Sequence, residues 1–76
     1  MLPMELQQVL SNAGLTEKES GVYLALLELG PSTAYRIAPK AKLKRPITYV
    51  VLEQLQSRGL VSTVPQGKRK LFVAAD

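Results

Sequence analysis

The hydrophobic pattern of this chain changes its period at Gly59, and that change constrains the fold more than any other feature. Before Gly59, apolar residues recur every three to four positions, which is the spacing of amphipathic helices. After it, Leu60–Val64 and Leu71–Val73 are short strand-like runs, separated by the turn residues Pro65-Gln66-Gly67 and by a basic segment. The sequence therefore predicts a mostly α fold that ends in a two-stranded β-hairpin.

Two helices are predicted in the first part of the chain. The first spans Met4–Asn12, where apolar residues have helical spacing. The second begins at a capping box, in which Thr16 is the N-cap and Glu19 is the third helical residue. It ends at the Gly30-Pro31 pair, because glycine suits a helix C-terminus and proline does not continue a helix.

Two further helices, joined by a tight turn, are predicted before the hairpin. The Ser32-Thr33 pair can cap a short third helix, and Pro39 should kink or shorten it. After a turn at Lys42-Leu43, the fourth helix covers about residues 45–58, with Pro46 at its first position. The inward stripe of the fourth helix is expected to consist of Thr48, Val51, Leu52 and Leu55.

Length and composition indicate one domain, residues 1–76, and exclude several functions. The 76 residues include no cysteine and no histidine, which leaves no thiol nucleophile, no imidazole base and no zinc site of the usual Cys/His kind. We expect no catalytic residues, no metal and no cofactor, so the chain is not predicted to be an enzyme. It has neither a membrane-length apolar run nor a secretory signal, so we expect a soluble, cytoplasmic protein without membrane partners.

The positive charge is concentrated in two places. The formal net charge is +4, and eight of the ten Lys and Arg residues lie within segments 36–45 and 68–70. No acidic residue occurs between Leu29 and Leu52. Such asymmetry favours a polyanion as the partner, although a merely solvated basic surface has the same composition.

This element order is that of a winged helix-turn-helix, with three or four helices and a two-stranded wing. The major groove of DNA admits one helix, whose N-terminal residues meet the base edges. The fourth helix is therefore predicted to be the recognition helix, and the wing, residues 65–70, to contact phosphates. The candidate DNA-binding residues are Tyr35, Arg36, Lys42, Lys44, Arg45, Pro46, Ile47, Tyr49, Val50, Lys68, Arg69 and Lys70.

Motifs along almost the whole chain resemble one family of regulators. They are Gly14-Leu15-Thr16-Glu17-x-Glu19, Val22–Leu27, Leu29-Gly30-Pro31, Ile37-Ala38, Tyr49-x-Val51-Leu52-x-x-Leu55 and Gly59-Leu60-Val61. Together they resemble the DNA-binding domain of TrmB-type transcriptional regulators and, more distantly, MarR-like winged helices. The resemblance implies a dimeric DNA-binding regulator, often joined to a C-terminal ligand-sensing domain. The chain stops before such a domain, so no small-molecule effector is expected here.

Two departures from the family pattern affect the turn and the third helix. Lys42 stands where the family often has glycine, so it must adopt a costly conformation or the turn must differ. Pro39 stands where an ordinary helix former is usual.

An alternative function is a winged-helix module for protein–protein interaction. Ile47 and Val50 make the exposed face of the fourth helix less polar than that of most base-reading helices. For Tyr49, the alternative to a phosphate contact through its hydroxyl is a partly buried packing role. We also expect a homodimer, with two recognition helices about 34 Å apart. Its candidate apolar contacts are Leu2, Leu6, Leu24 and Leu27.

Overall fold

The element order of the chain is four helices followed by an antiparallel hairpin. The computed structural model describes the backbone of residues 4–75 and the side chains of residues 8–75. Its elements are α1 (Met4–Asn12), α2 (Glu17–Leu29), α3 (Ala34–Ala41), α4 (Arg45–Ser57), β1 (Val61–Gln66) and β2 (Arg69–Ala74). The predicted winged helix-turn-helix order is confirmed. None of the described helices is long and apolar enough to cross a membrane.

The α2 helix is the central element, and its ends form as the sequence predicts. At its start, the Thr16 hydroxyl oxygen accepts from the Glu19 amide at 3.1 Å, and the Thr16 amide donates to the Glu19 carboxylate at 2.8 Å. Gly30 ends it with a positive φ of 75°, which glycine adopts without a steric penalty. From this position α2 contacts α1, α3, α4 and β2.

A buried carboxylate ties the start of α2 to the end of α4. The Glu19 side chain is 3% exposed, and its second oxygen lies 3.4 Å from Nε of Arg58. Arg58 is the C-cap of α4. The Glu19 carboxylate therefore takes part both in the capping box and in a tertiary contact. Its two buried oxygens are satisfied by the Thr16 amide and by the Arg58 guanidinium.

The core lies where α2, α3, α4 and β2 meet. The inward stripe predicted for α4 is confirmed, since its four residues are buried: Thr48, Val51, Leu52 and Leu55. In α1, Leu10 joins the core whereas Val9 is exposed. The core residues are Leu10, Leu15, Val22, Leu24, Ala25, Leu26, Ala34, Ile37, Val51, Leu52, Leu55, Val61 and Phe72.

One residue proposed for the dimer contact is unavailable for it. Leu24 is buried in the core, because α2 is covered on most of its sides, so its prediction as a contact between copies is wrong. Leu27 is exposed, as that prediction requires. Leu2 and the side chain of Leu6 lie outside the described residues.

The hairpin turn is shorter than the sequence suggested. Pro65 and Gln66 belong to β1, where they pair with Lys70 and Arg69, so only Gly67 and Lys68 form the turn. Gly67 has φ 61° and Lys68 has no positive φ, as a two-residue type II′ turn requires. Pro65 is tolerated because this turn places it at a non-hydrogen-bonded pair, where its missing N–H faces away from β2.

A short backbone bridge attaches the wing to the start of α3. Phe72 donates to the Ser32 carbonyl at 2.7 Å and accepts from the Ser32 amide at 3.1 Å. The Ser32 hydroxyl donates to the Gly30 carbonyl, and Thr33 is the N-cap of α3 without a side-chain capping bond. Neither member of the predicted pair therefore caps α3 through its hydroxyl. The helix is short, as predicted, but it continues past Pro39 to Ala41 and ends at Lys42, which is its left-handed C-cap.

Candidate nucleic-acid interface

The turn between α3 and α4 depends on a lysine in a left-handed conformation. Lys42 has φ 60° and ψ 41°, and in the described chain it is the only non-glycine residue with positive φ. The Leu43 amide donates to the Ala38 carbonyl at 2.9 Å, which closes the end of α3. Lysine thus adopts the conformation that glycine adopts more readily, at a cost of about 1 kcal/mol. This geometry confirms the first of the two outcomes predicted for Lys42.

The start of α4 is exposed on one face and fixed on the other. Arg45 is its first residue and Pro46 its second, one position later than predicted for the proline. Thr48 is fully buried, and its hydroxyl donates to the Lys44 carbonyl at 2.9 Å. The buried Thr48 thereby holds the N-cap Lys44 and the first turn of α4 against the core, while the outer face of the helix is exposed. That outer face carries Arg45, Pro46, Ile47, Tyr49 and Val50.

One concave surface, the basic cleft, brings six of the predicted residues together. It lies between the start of α3, the exposed face of α4 and the wing. Its floor includes Ser32 and the buried ring of Phe72, so it is built around the backbone bridge. The predicted residues that line the basic cleft are Tyr35, Arg36, Tyr49, Lys68, Arg69 and Lys70.

The other predicted residues lie elsewhere. Lys42, Ile47 and Val50 line a second groove, between α4 and the α1–α2 region, together with apolar residues such as Leu15 and Leu43. Ile47 is 38% exposed and Val50 is 53% exposed. Lys44, Arg45 and Pro46 are exposed at the start of α4 and line neither concavity.

Aromatic contacts link the three elements of the basic cleft. The guanidinium carbon of Arg45 lies 5.3 Å from the centroid of the Tyr35 ring, and Nζ of Lys70 lies 5.6 Å from that of Phe72. Tyr49 meets Phe72 edge to face, with ring centroids 6.5 Å apart. Tyr49 therefore combines the packing role and the exposed position that the sequence offered as alternatives. Cations near aromatic faces at such distances are attracted by the ring quadrupole.

The charge of the cleft is not neutralised by its own lining. Its described lining residues include Arg36, Lys68, Arg69 and Lys70 and no acidic side chain. Lys40, the next cation along α3, is instead paired with Glu28 at 2.7 Å. The hydrogen bond from Lys40 lowers the pKa of Glu28 below its ordinary value.

Seven residues that line the cleft were not predicted as site residues, and for two of them, Phe72 and Gln66, the structure shows contacts or positions that sequence reasoning missed. Phe72 was assigned to the core alone, yet it contacts both Tyr49 and Lys70 and bridges to Ser32. Gln66 was assigned to the turn, yet it ends β1 and lines the cleft. A two-residue turn with glycine first, at Gly67-Lys68, would have assigned Gln66 to β1. No local sequence signal indicates the backbone bridge between Ser32 and Phe72.

Comparison with known proteins gives matches over nearly the whole chain. A family model described as "Sugar-specific transcriptional regulator TrmB" matches residues 10–76. The HTH-type sugar sensing transcriptional regulator TrmBL1 of Pyrococcus furiosus is 41% identical over 72 residues, covering 95% of this chain and 21% of that protein. The uncharacterized protein YrhO of Bacillus subtilis is 47% identical over 51 residues, covering 67% of this chain and 18% of that protein. The chain thus spans about a fifth of the length of these relatives.

A solved structure matches the fold. A MarR family protein from Bacillus stearothermophilus superposes with a TM-score of 0.80 at 20% sequence identity, covering 96% of this chain and 52% of that one. At this identity the likeness concerns the fold alone, and it agrees with the order of helices and wing described above.

Proposed function

Because this chain belongs to the TrmB family of transcriptional regulators, we propose that it binds double-stranded DNA through the basic cleft and the first turns of α4. In this proposal α4 enters the major groove, which is about 12 Å wide and accommodates a helix of about 10–12 Å diameter. Arg45 and its exposed neighbours on α4 face the base edges. The wing lies against the sugar-phosphate backbone.

The observation that carries this proposal is the composition of the basic cleft. Four cations and two exposed tyrosines line one surface without an acidic side chain among its described lining residues. Cationic side chains neutralise phosphates, and the Tyr49 hydroxyl can donate a hydrogen bond to a phosphate oxygen. A solvated surface kept only for solubility needs no such convergence of three elements. The family match also favours DNA over the protein-interaction alternative.

The apolar residues on α4 fit the same proposal. Ile47 and Val50 project from the first turns of the helix and are partly exposed. Apolar side chains contact the methyl group of thymine in the major groove. We propose that they contribute shape and methyl contacts, while the cations supply most of the affinity.

The proposal predicts duplex binding that weakens steeply with salt. Each neutralised phosphate contributes about −0.9 to the slope of log K against log salt. With four cations in the cleft and Arg45 beside it, we expect each bound chain to contribute about −3 to −5 to the slope. Fluorescence anisotropy with a labelled duplex measures it, and a folded domain without duplex binding at low salt would contradict the proposal.

We further propose that the chain binds DNA as a homodimer. Val9 of α1 and Leu27 of α2 are exposed apolar residues outside the basic cleft, and their burial between copies would add to the stability of this small domain. Two α4 helices would then enter successive major grooves, about 34 Å apart. Sedimentation of the same complexes should give two chains per duplex.

With DNA as its partner, the protein is proposed to act in the cytoplasm without catalysis.

A further inference from the structure

Tyr35 is an exposed aromatic residue whose ring faces the first side chain of α4. It is 67% exposed, and the guanidinium carbon of Arg45 lies 5.3 Å from its ring centroid. We propose that Tyr35 is a positioning residue, which holds Arg45 in place before DNA arrives. This inference rests on the proposed function, since it assigns Arg45 to the DNA surface.

The backbone on both sides of this contact is fixed. Tyr35 is the second residue of α3, three positions after the Ser32 bridge to β2. Arg45 is the first residue of α4, and the Thr48 hydroxyl bonds the Lys44 carbonyl just before it. The left-handed turn at Lys42 sets the relation between the two helices. The two helix starts are therefore held in place, and the ring of Tyr35 provides a surface on which the Arg45 side chain is ordered.

A cation–π contact leaves an arginine able to bind DNA. The guanidinium group carries five N–H donors, so an arginine placed over a ring keeps donors for phosphate or base acceptors. No described carboxylate forms an ion pair with Arg45. Arginine loses rotamer freedom when it binds, and a stack formed in the free protein removes part of that loss beforehand.

Other roles for Tyr35 have less support from its surroundings. Its high exposure excludes a core role, and its hydroxyl has no hydrogen bond to any described residue, unlike Tyr23, whose hydroxyl donates to the Ala75 carbonyl. Tyr35 also lines the basic cleft, so its hydroxyl lies near the proposed path of the DNA backbone. A direct hydroxyl–phosphate contact is therefore the competing explanation that the experiment must separate.

The test is a double-mutant cycle in duplex affinity, with the conservative variant as its control. Tyr35→Ala should weaken binding about two- to five-fold, the range that an exposed cation–π contact implies. Tyr35→Phe keeps the ring and should bind within two-fold of the wild type. In an Arg45→Ala background, Tyr35→Ala should have no further effect, because the side chain that it positions is gone. Lys40→Ala, which removes a charge that is paired with Glu28 and lies outside both concavities, should leave affinity unchanged.

An NMR measurement without DNA makes the two proposals separable. In the free protein, the ring current of Tyr35 should shift the δ protons of Arg45 upfield, and this shift should vanish in Tyr35→Ala and persist in Tyr35→Phe. Three results would overturn the positioning role alone, provided that the wild type binds the duplex. They are the absence of this shift, additive effects in the double-mutant cycle, and equal losses of affinity for Tyr35→Phe and Tyr35→Ala. A stack in a protein that binds no duplex would overturn the proposed function and this role together.

Discussion

Phe72→Ala is expected to destabilise the domain by about 3–5 kcal/mol, the usual cost of removing a buried phenylalanine. Phe72 is 3% exposed and is the only phenylalanine of the chain. Its ring packs in the core and contacts Tyr49 and Lys70, while its backbone bridges to Ser32. Because a domain of this size has little stability to spare, much of the variant should be unfolded at ambient temperature. Urea denaturation followed by circular dichroism measures the change.

A substitution elsewhere in the hairpin provides the control for Phe72. Val64→Ala removes apolar atoms from an exposed position of β1 and should change the unfolding free energy by less than about 0.5 kcal/mol. If Phe72→Ala were as mild as Val64→Ala, the wing would not be anchored through this ring. The bridge at Ser32 alone would then have to hold it.

The triple variant Lys68→Ala, Arg69→Ala, Lys70→Ala is expected to lose about 100-fold in duplex affinity near 0.1 M salt. Three phosphate contacts contribute between two and three units to the salt slope for each bound chain, so the slope should become less negative by that amount per chain. Stability should change little, because all three side chains are exposed. Anisotropy titrations at several salt concentrations measure both quantities.

Single lysine substitutions provide matched controls for this variant. Lys68→Ala and Lys40→Ala remove the same charge, one at the wing tip and the other near the end of α3, outside both concavities. Long-range electrostatics alone would weaken binding equally in both, whereas phosphate contact by the wing predicts a loss for Lys68 only. Unchanged affinity and slope in the triple variant would remove the wing from the interface.

Helix boundaries were predictable where the signal is local. The capping box at Thr16 and the Gly30-Pro31 pair delimit α2 because each acts through backbone bonds within a few residues. The inward stripe of α4 followed from helical periodicity alone. The burial of Leu24 did not, since an amphipathic pattern does not reveal how many neighbours will cover a central helix.

The site was predictable by residue type and less so by arrangement. Clustered charge identified the wing, but the turn was placed too early because Pro65 was taken for a turn residue and not for a strand residue at a non-hydrogen-bonded pair. The pairing of Tyr35 with Arg45 depends on the turn that brings two helix starts together. The separation of Ile47 and Val50 from the basic cleft is likewise a property of the tertiary fold.

The most direct test of DNA binding through α4 and the wing is a titration of the ¹⁵N-labelled protein with a duplex, observed by backbone amide NMR. Saturable shifts are predicted at Tyr35 and Arg36, along the first turns of α4, and at Lys68–Lys70. Amides at the far end of α4, near Gln56 and Ser57, should respond far less than those of the wing. Shifts confined to α1 and α2, or the absence of shifts at α4 and the wing, would contradict DNA binding through α4 and the wing.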